Sequence, residues 1–305
     1  LVPGDRLVIA GSGGADSVAL TLTFAAISDR QPWTFDLHIA HIDHQLRDTS
    51  SEDAAFVESL AADLNLPCHV RRVACDATEA SAREARYAAL LDIAHQVDAD
   101  AIVTAHHADD QLETMLMRLV RGTSVTGLAG IDPRNVLDGL PIVRPMLGVT
   151  HEQATAFCRL SGWDWREDET NAWTDRWRNI LRWEVLPTLH ELRDDASTKA
   201  SEAADALREV RDALDWMVDR IVATERTELA ELPVALLGGV IRKRCIDAGV
   251  PADRLGIETL RPILAAIRDG SGETRQFDLA GGVALTVGAR SVSITLPSGE
   301  PAGRG

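Results

Sequence analysis

The sequence predicts an α/β protein, a parallel sheet with helices on both faces, followed by a long linker helix and a small α+β domain. Three observations carry this. Short apolar runs alternate with helical patterns in the first part of the chain. A glycine-rich loop joins the first apolar run directly to a helix, and from about His190 the pattern changes to one long amphipathic seam and then to period-two stretches.

Leu7-Val8-Ile9-Ala10 has the composition of a buried strand, with Val18 to Ile27 as the helix after the glycines. Leu37 to Ile42 is a second strand, and a Thr49-x-x-Glu52 capping box opens a helix toward Leu64. His69 to Ala74 makes a third strand and Ala82 to Gln96 a helix; Ala101 to Ala105 is a fourth strand leading into the helix Asp109 to Arg121, which Gly122 stops. Ligands of parallel sheets gather at the carboxyl ends of the strands. Chemistry is therefore expected in the loops after Ala10, Ala40 and Ala105.

Ala196, Ala200, Ala203, Leu207, Val210, Leu214, Met217 and Ile221 alternate three- and four-residue steps, a heptad-like seam. About thirty residues at about 1.5 Å each give a rod of about 45 Å. It is expected to be a linker helix over about 189–228; the alternative is a helix packed along one domain. Pro233 to Ala248 and Ile257 to Arg268 are two further helices, with strands around 277–279, 283–287 and 292–296 and a turn at Gly281-Gly282. The expected division is 1–188 for the catalytic domain and 189–305 for the linker helix and the small domain.

The 305 residues are 45% hydrophobic, enough for two cores. With 31 basic against 47 acidic residues, the net charge of −16 weighs against a nucleic-acid partner. A local basic face can still act within an acidic whole. Cys68, Cys75, Cys158 and Cys245 form no CxxC pair and are expected as isolated thiols in a reducing cytosol. No charged leader and no membrane-length apolar run occur, so a soluble, cytoplasmic protein is expected.

Gly11-Ser12-Gly13-Gly14-Ala15-Asp16-Ser17 can converge backbone N–H groups on an anion. It lacks the Lys-Ser/Thr of a Walker A loop, and Asp16 replaces the third glycine of a dinucleotide fingerprint. An Asp beside phosphate hints at Mg²⁺-bound pyrophosphate; the alternative is a helix cap. His41-Ile42-Asp43-His44 is a loop metal site or a polar strand end. Arg83 and Arg86 share a helical face, which solvated charge also explains. In His106-His107-Ala108-Asp109-Asp110-Gln111-Leu112-Glu113-Thr114, two histidines and three carboxylates exceed what capping needs and suit Mg²⁺ or an ammonium group.

Ser12 to Ser17 resembles the SGGxDS signature of PP-loop ATP pyrophosphatases, which implies a Rossmann-like PP-loop domain that cleaves ATP between its α and β phosphates. The set HIDH, AREARY (Ala82 to Tyr87), HHADDQLET, Arg144-Pro145-Met146-Leu147, Asp168-Glu169-Thr170-Asn171, Arg178-Asn179-Ile180-Leu181-Arg182 and Leu186-Pro187 is similar, in that order, to the tRNA(Ile)-lysidine synthetases. Asp278-Leu279-Ala280-Gly281-Gly282 resembles that family's substrate-binding domain more weakly.

The resemblance implies a two-step ligation. The wobble cytidine of a CAU anticodon attacks ATP to give an adenylated base, and free L-lysine then displaces AMP at C2. It places Ser12, Gly13, Gly14, Ala15, Asp16 and Ser17 on ATP, with Asp16 also on Mg²⁺, and Ala40 and His41 beside adenosine. Arg86, His106, Asp110 and Glu113 fall near lysine and the reacting phosphate, with Asp16, Arg86, Asp110 and Glu113 catalytic. Arg178 and Arg182 face the nucleotide or the tRNA, and Arg242, Lys243 and Arg244 form a candidate tRNA patch that a solvated helix face would equally explain. Trp163, Trp165, Trp173, Trp177 and Trp183 either stack on splayed anticodon bases or pack against the sheet and linker helix. A PP-loop tRNA thiolase and a non-catalytic RNA-binding relative are the rival functions. The oligomeric state, a homodimer included, stays open.

Overall fold

The computed structural model describes residues 1–30, 32–45, 50–74, 78–166 and 176–296. Strand and helix alternate from the start: β1 (Arg6–Ala10), α1 (Ala15–Ser28), β2 (Asp36–Asp43), α2 (Ser50–Asp63), β3 (Cys68–Arg72), α3 (Glu79–Gln96), β4 (Ala101–Val103) and α4 (Ala108–Arg121). After α5 (Val125–Leu128) come β5 (Arg134–Leu137), β6 (Leu140–Val143), α6 (His151–Ser161), α7 (Arg176–Ile180), α8 (Leu186–Leu192) and α9 (Ala196–Val218).

The sheet order is β3-β2-β1-β4-β6-β5, and every neighbouring pair is parallel except β5–β6. Leu7, Val8 and Ile9 are all fully buried. Leu7 and Ile9 pack with Val18 and Leu22 of α1 on one face, and Val8 with Leu90 and Ile93 of α3 on the other. A strand covered on both faces is apolar throughout, which is why β1 has no polar alternation. The chain leaves β1 toward β2 on one side and reaches β4 on the other, so the strand order reverses between β1 and β4. That switch point is where such a sheet opens a crevice.

The β5–β6 hairpin adds an antiparallel edge that the sequence reading did not include. Asp138 (φ 47°) and Gly139 (φ 81°) are both left-handed, the conformation of a two-residue I′ turn. Pro141 lies before the parallel pairing with β4, which takes in only Ile142 and Val143, so its missing N–H interrupts no rung there.

The chain divides into two compact units. The first comprises Leu1–Arg121 and Gly130–Ala204, the second Gly122–Ala129 and Asp205–Gly305. The second unit contains α10 (Arg226–Glu231), α11 (Val234–Asp247), α12 (Ile257–Arg268) and the antiparallel sheet β7 (Arg275–Asp278), β8 (Ala284–Val287), β9 (Val292–Thr295). Leu229, Leu237, Ile241, Cys245, Ile263 and Leu285, all fully buried, form its core. This matches the expected small α+β fold.

The long helix differs from expectation in length and in face. α9 spans 23 residues and stops at Val218, about 35 Å rather than 45 Å. The separate α8 precedes it, and Arg193 between them is extended. The predicted seam residues Ala203, Val210 and Met217 are exposed, whereas Ser197, Ser201, Ala204 and Arg208 are buried. The reason is hydrogen bonding: Ser201 Oγ donates to Leu147 O at 2.5 Å and Arg208 Nη1 to Ala129 O at 2.9 Å, so polar residues occupy the inner face. The Thr49 capping box and the stretch Asp168 to Asn171 lie outside the described residues.

Candidate active site

The loop after β1 is folded by its own serine. Ser17 Oγ accepts the N–H groups of Ser12 (3.2 Å) and Gly13 (3.1 Å) and donates to Gly14 O (2.9 Å). Gly13 takes φ +87°, a conformation that favours glycine. Gly11 donates to Ala40 O at 2.9 Å, and His41 Nδ1 lies 2.8 Å from Gly11 O, fastening the loop to the end of β2. A Cβ at Gly11 would stand 2.9 Å from Ile39 Cγ2, so the approach requires glycine. No side chain caps α1 at Gly14. The first-turn N–H groups and the helix dipole therefore remain available to an anion. Asp16 sits in that turn.

Across the switch point, β4 runs through Thr104 to His107 into α4. Asp110 Oδ2 accepts the His107 N–H at 3.1 Å. The helix is seated by Gln111, fully buried, whose Oε1 accepts Ile131 N–H at 2.6 Å. Gly130 (φ +68°) packs on that amide so closely that a Cβ would meet it at 2.6 Å. Glu113, 3% exposed, lies one turn along. Arg178 Nε is 2.8 Å from its Oε1, and Arg182 Nε and Nη2 donate to Oε2 at 3.2 and 3.0 Å. Arg182 Nη2 also reaches Asp110 Oδ1 at 3.5 Å. A π-helical turn over Leu181–Val185 interrupts the helix that carries both arginines, a feature frequent at functional sites. Burial pushes the Glu113 carboxyl up, Arg182 opposes this, and Asp110 adds to it.

Between loop and helix lies an acid–imidazole cluster. His107 Nε2 is 3.7 Å from Asp16 Oδ2 and 3.4 Å from Asp110 Oδ2, while its Nδ1 faces Asp109 Oδ2 at 3.3 Å. Burial alone would lower His107, but Asp110, Asp109 and Asp16 outweigh it and raise it to about 9. His151 Nδ1 is 3.0 Å from Asp16 Oδ1, and this contact raises His151. Asp109 also accepts His151 N–H at 2.8 Å and Ser197 Oγ–H at 2.5 Å, with His190 Nε2 3.5 Å away. Although burial acts upward, His107, the His151 N–H and Ser197 hold the Asp109 carboxyl well below the usual carboxylate range. Burial holds His106 down at about 4, and Thr104 Oγ1 is 2.8 Å from its Nδ1. His106 is accordingly a neutral imidazole at physiological pH.

The structure brings together Asp16, Asp110, Glu113, Arg178 and Arg182 through His107. Arg86 lies over the Tyr87 ring and forms no ion pair among the described residues; the packing around it lowers its guanidinium, with Tyr87 and Asp110 acting the other way. Instead of facing outward, Arg178 and Arg182 turn onto Glu113. The run Arg242-Lys243-Arg244 is likewise not an open patch. Arg242 Nη1 donates to Leu255 O at 2.8 Å, Arg244 donates to Ala223 O, and only Lys243 is exposed, paired with Asp219 Oδ1 at 3.2 Å. Trp163 and Trp165 pack on the sheet core, whereas Trp177 and Trp183 are exposed and Trp173 lies outside the described residues. Sequence reasoning missed His151, Ser197 and His190. His151 had a local signal: Thr150 and Gln153 form a capping box that fixes it as the first residue of α6.

A glycine loop opening an uncapped helix at the switch point of a parallel sheet, with a carboxylate in the first helical turn, is the arrangement of a PP-loop domain. The model of that family, the PP-loop domain, matches residues 2–189. The chain belongs to the tRNA(Ile)-lysidine synthase family. It is 36% identical over 307 residues to the tRNA(Ile)-lysidine synthase of Symbiobacterium thermophilum, covering 92% of this chain and 61% of that protein. It is 34% identical to that of Thermosynechococcus vestitus, covering 98% of this chain and 88% of the relative, and 38% identical to that of Thermus thermophilus, covering 84% and 52%. The chain thus spans from about half to most of the length of these relatives. Among solved structures, a U34-tRNA thiolase from Methanococcus maripaludis with its [4Fe-4S] cluster aligns with TM-score 0.57 and 12% identity, over 68% of this chain and 74% of that one. At that identity the likeness is one of fold.

Proposed function

We propose that the chain ligates L-lysine to C2 of the wobble cytidine of tRNA(Ile) with a CAU anticodon, through an adenylated cytidine, releasing pyrophosphate and AMP. The observation that carries the proposal is the convergence, at one switch point, of the uncapped glycine loop with the partly buried Asp110 and the buried Glu113. The names of the relatives supply the substrate. An anion at the loop is held by first-turn N–H groups of α1, and Ser12 to Ser17 shape that cradle. Ala40 and His41 fix its far wall. Asp16, partly open beside the loop, fits a divalent cation such as Mg²⁺, which when bound neutralises the pyrophosphate.

Asp110 and Glu113 take the cationic co-substrate. In the structure Arg178 and Arg182 neutralise Glu113, so an arriving lysine ammonium exchanges with them for the same oxygens. A carboxylate there both orients the lysine and accepts the proton its amine must lose before it attacks. Arg86, which forms no ion pair among the described residues, is the group proposed to meet the reacting phosphate. In this proposal residues 1–188 perform the chemistry and 189–305 hold the tRNA, with Lys243 the exposed member of the Arg242-Lys243-Arg244 run. The deciding experiment is incubation of the chain with ATP, labelled lysine and tRNA(Ile), followed by mass analysis of the nucleosides. Lysidine at the wobble position is expected; a thiolated base or no change would refute the assignment.

A further inference from the structure

Among the described residues, one group of three, Asp16, His107 and His151, offers ligand atoms that all lie within 4.8 Å of one another. The measured edges are 3.0 Å from His151 Nδ1 to Asp16 Oδ1 and 3.7 Å from His107 Nε2 to Asp16 Oδ2. Ligands about 2.0–2.1 Å from a tetrahedral centre stand about 3.3 Å apart, so these edges bracket the figure a zinc-like ion requires. We propose that Asp16, His107 and His151 form a binding site for a divalent transition metal of the zinc class, separate in chemistry from any Mg²⁺ carried with ATP.

A second observation supports it independently. A metal-ligating histidine turns its other ring nitrogen to a carboxylate, which fixes the tautomer and strengthens the ligand. His107 does this: Nε2 faces Asp16, and Nδ1, buried and without an aligned hydrogen-bond partner, faces Asp109 Oδ2 at 3.3 Å. Asp109 is itself held by Ser197 Oγ and the His151 N–H, so the outer carboxylate is immobilised from two further elements. Asp110 Oδ2, 3.4 Å from His107 Nε2, can supply a fourth ligand. His151 is half-exposed, which leaves an entry path.

Two imidazoles and a carboxylate suit zinc, cobalt or manganese, whereas Mg²⁺ prefers oxygen ligands and retains its water. Because Asp16 is shared, a transition metal here occupies the carboxylate that the pyrophosphate-bound cation needs. Zn²⁺ is therefore expected to compete with Mg²⁺-ATP at the loop.

The test uses the full chain without ATP or tRNA, so its outcome is separable from that of the ligase assay. Zn²⁺ is titrated calorimetrically and Co²⁺ by its visible absorption, in an excess of Mg²⁺. One ion per chain is expected, with visible bands of imidazole-ligated Co²⁺. Replacing the half-exposed ligand, His151→Ala, should weaken Zn²⁺ binding at least about tenfold, and Asp109→Asn by about 10–100-fold through the outer carboxylate. Thermal unfolding of each apo variant checks that it is folded; should Asp109→Asn fail, His151→Ala alone decides. Absence of saturable Zn²⁺ binding, or affinity unchanged in folded His151→Ala, would overturn the proposal.

Discussion

Each compact unit buries charge, and they do so differently. In the first, the partly buried Asp16, Asp109 and Asp110 and the buried Glu113 face imidazoles and guanidinium groups, side chain to side chain. In the second, Arg226, 4% exposed, is answered by backbone alone: its guanidinium donates to Ala266 O (2.7 Å), Ile267 O (3.1 Å) and Gly288 O (3.2 Å). Two of those carbonyls belong to the last turn of α12, where unpaired C=O groups and the negative end of the dipole collect. Arg226 therefore closes a helix end, and its partners cannot exchange. The acids of the first unit have side-chain partners that a ligand can replace. Arg226 thus serves the fold, whereas the acids of the first unit are answered by side chains that can turn away.

Five substitutions and one alkylation measurement test that contrast. Asp16→Ala should cost at least about 100-fold in pyrophosphate release, the scale of one lost electrostatic contact to the reacting group, with the unfolding midpoint nearly unchanged. Near-normal release by a folded variant would leave Asp16 as a structural partner of His107 and His151. Arg226→Met should do the reverse, lowering stability by about 3 kcal/mol because three buried carbonyls lose a charged donor. Denaturant unfolding reads the loss, and turnover per folded molecule should hold. Glu113→Gln should slow lysine transfer about tenfold more than adenylation, seen as adenylated tRNA accumulating when lysine is present. Equal loss in both steps would move Glu113 to the ATP site.

The smaller effects probe the surface. Lys243→Glu should weaken tRNA binding modestly and lower its log–log salt slope by about 0.7–0.9 if one phosphate contact is lost. An unchanged slope would leave Lys243 as ordinary surface, paired to Asp219. The thiols should be inert. Burial pushes Cys68 up to about 11, with Glu58 adding to it, so at neutral pH it stays a thiol rather than a nucleophilic thiolate. Alkylation of Cys68 should be slow at pH 8 and accelerate toward pH 11, and Cys68→Ser should leave tRNA modification at full rate. Loss of activity in that variant would favour the thiolase chemistry.

Local rules carried far in this chain. The apolar run at Leu7 to Ile9, the glycines before Ala15 and the acids opening α4 each fix their neighbours within a few residues, so strand, loop and helix were legible there. The β5–β6 hairpin left a readable signal in Asp138-Gly139, yet Pro141 masks its second strand. The inner face of α9 was misjudged because Ser197 and Ser201 count as outward by polarity. Only their acceptors, Asp109 Oδ1 and Leu147 O, turn them inward.

Periodicity dictated the parallel α/β unit, glycine's freedom at positive φ the tight loop after β1, and spacing along one helix the nearness of Asp110 to Glu113. Tertiary structure alone decided that His151, 135 positions from Asp16, would meet it at 3.0 Å. It also decided that Arg178 and Arg182 close on Glu113 and that Arg242 and Arg244 turn onto carbonyls. A long cationic side chain has the same local propensity whether it ends in water, on a carboxylate or on a carbonyl. Its partner is chosen by what the packed elements bring within reach, and distance along the chain carries no record of that.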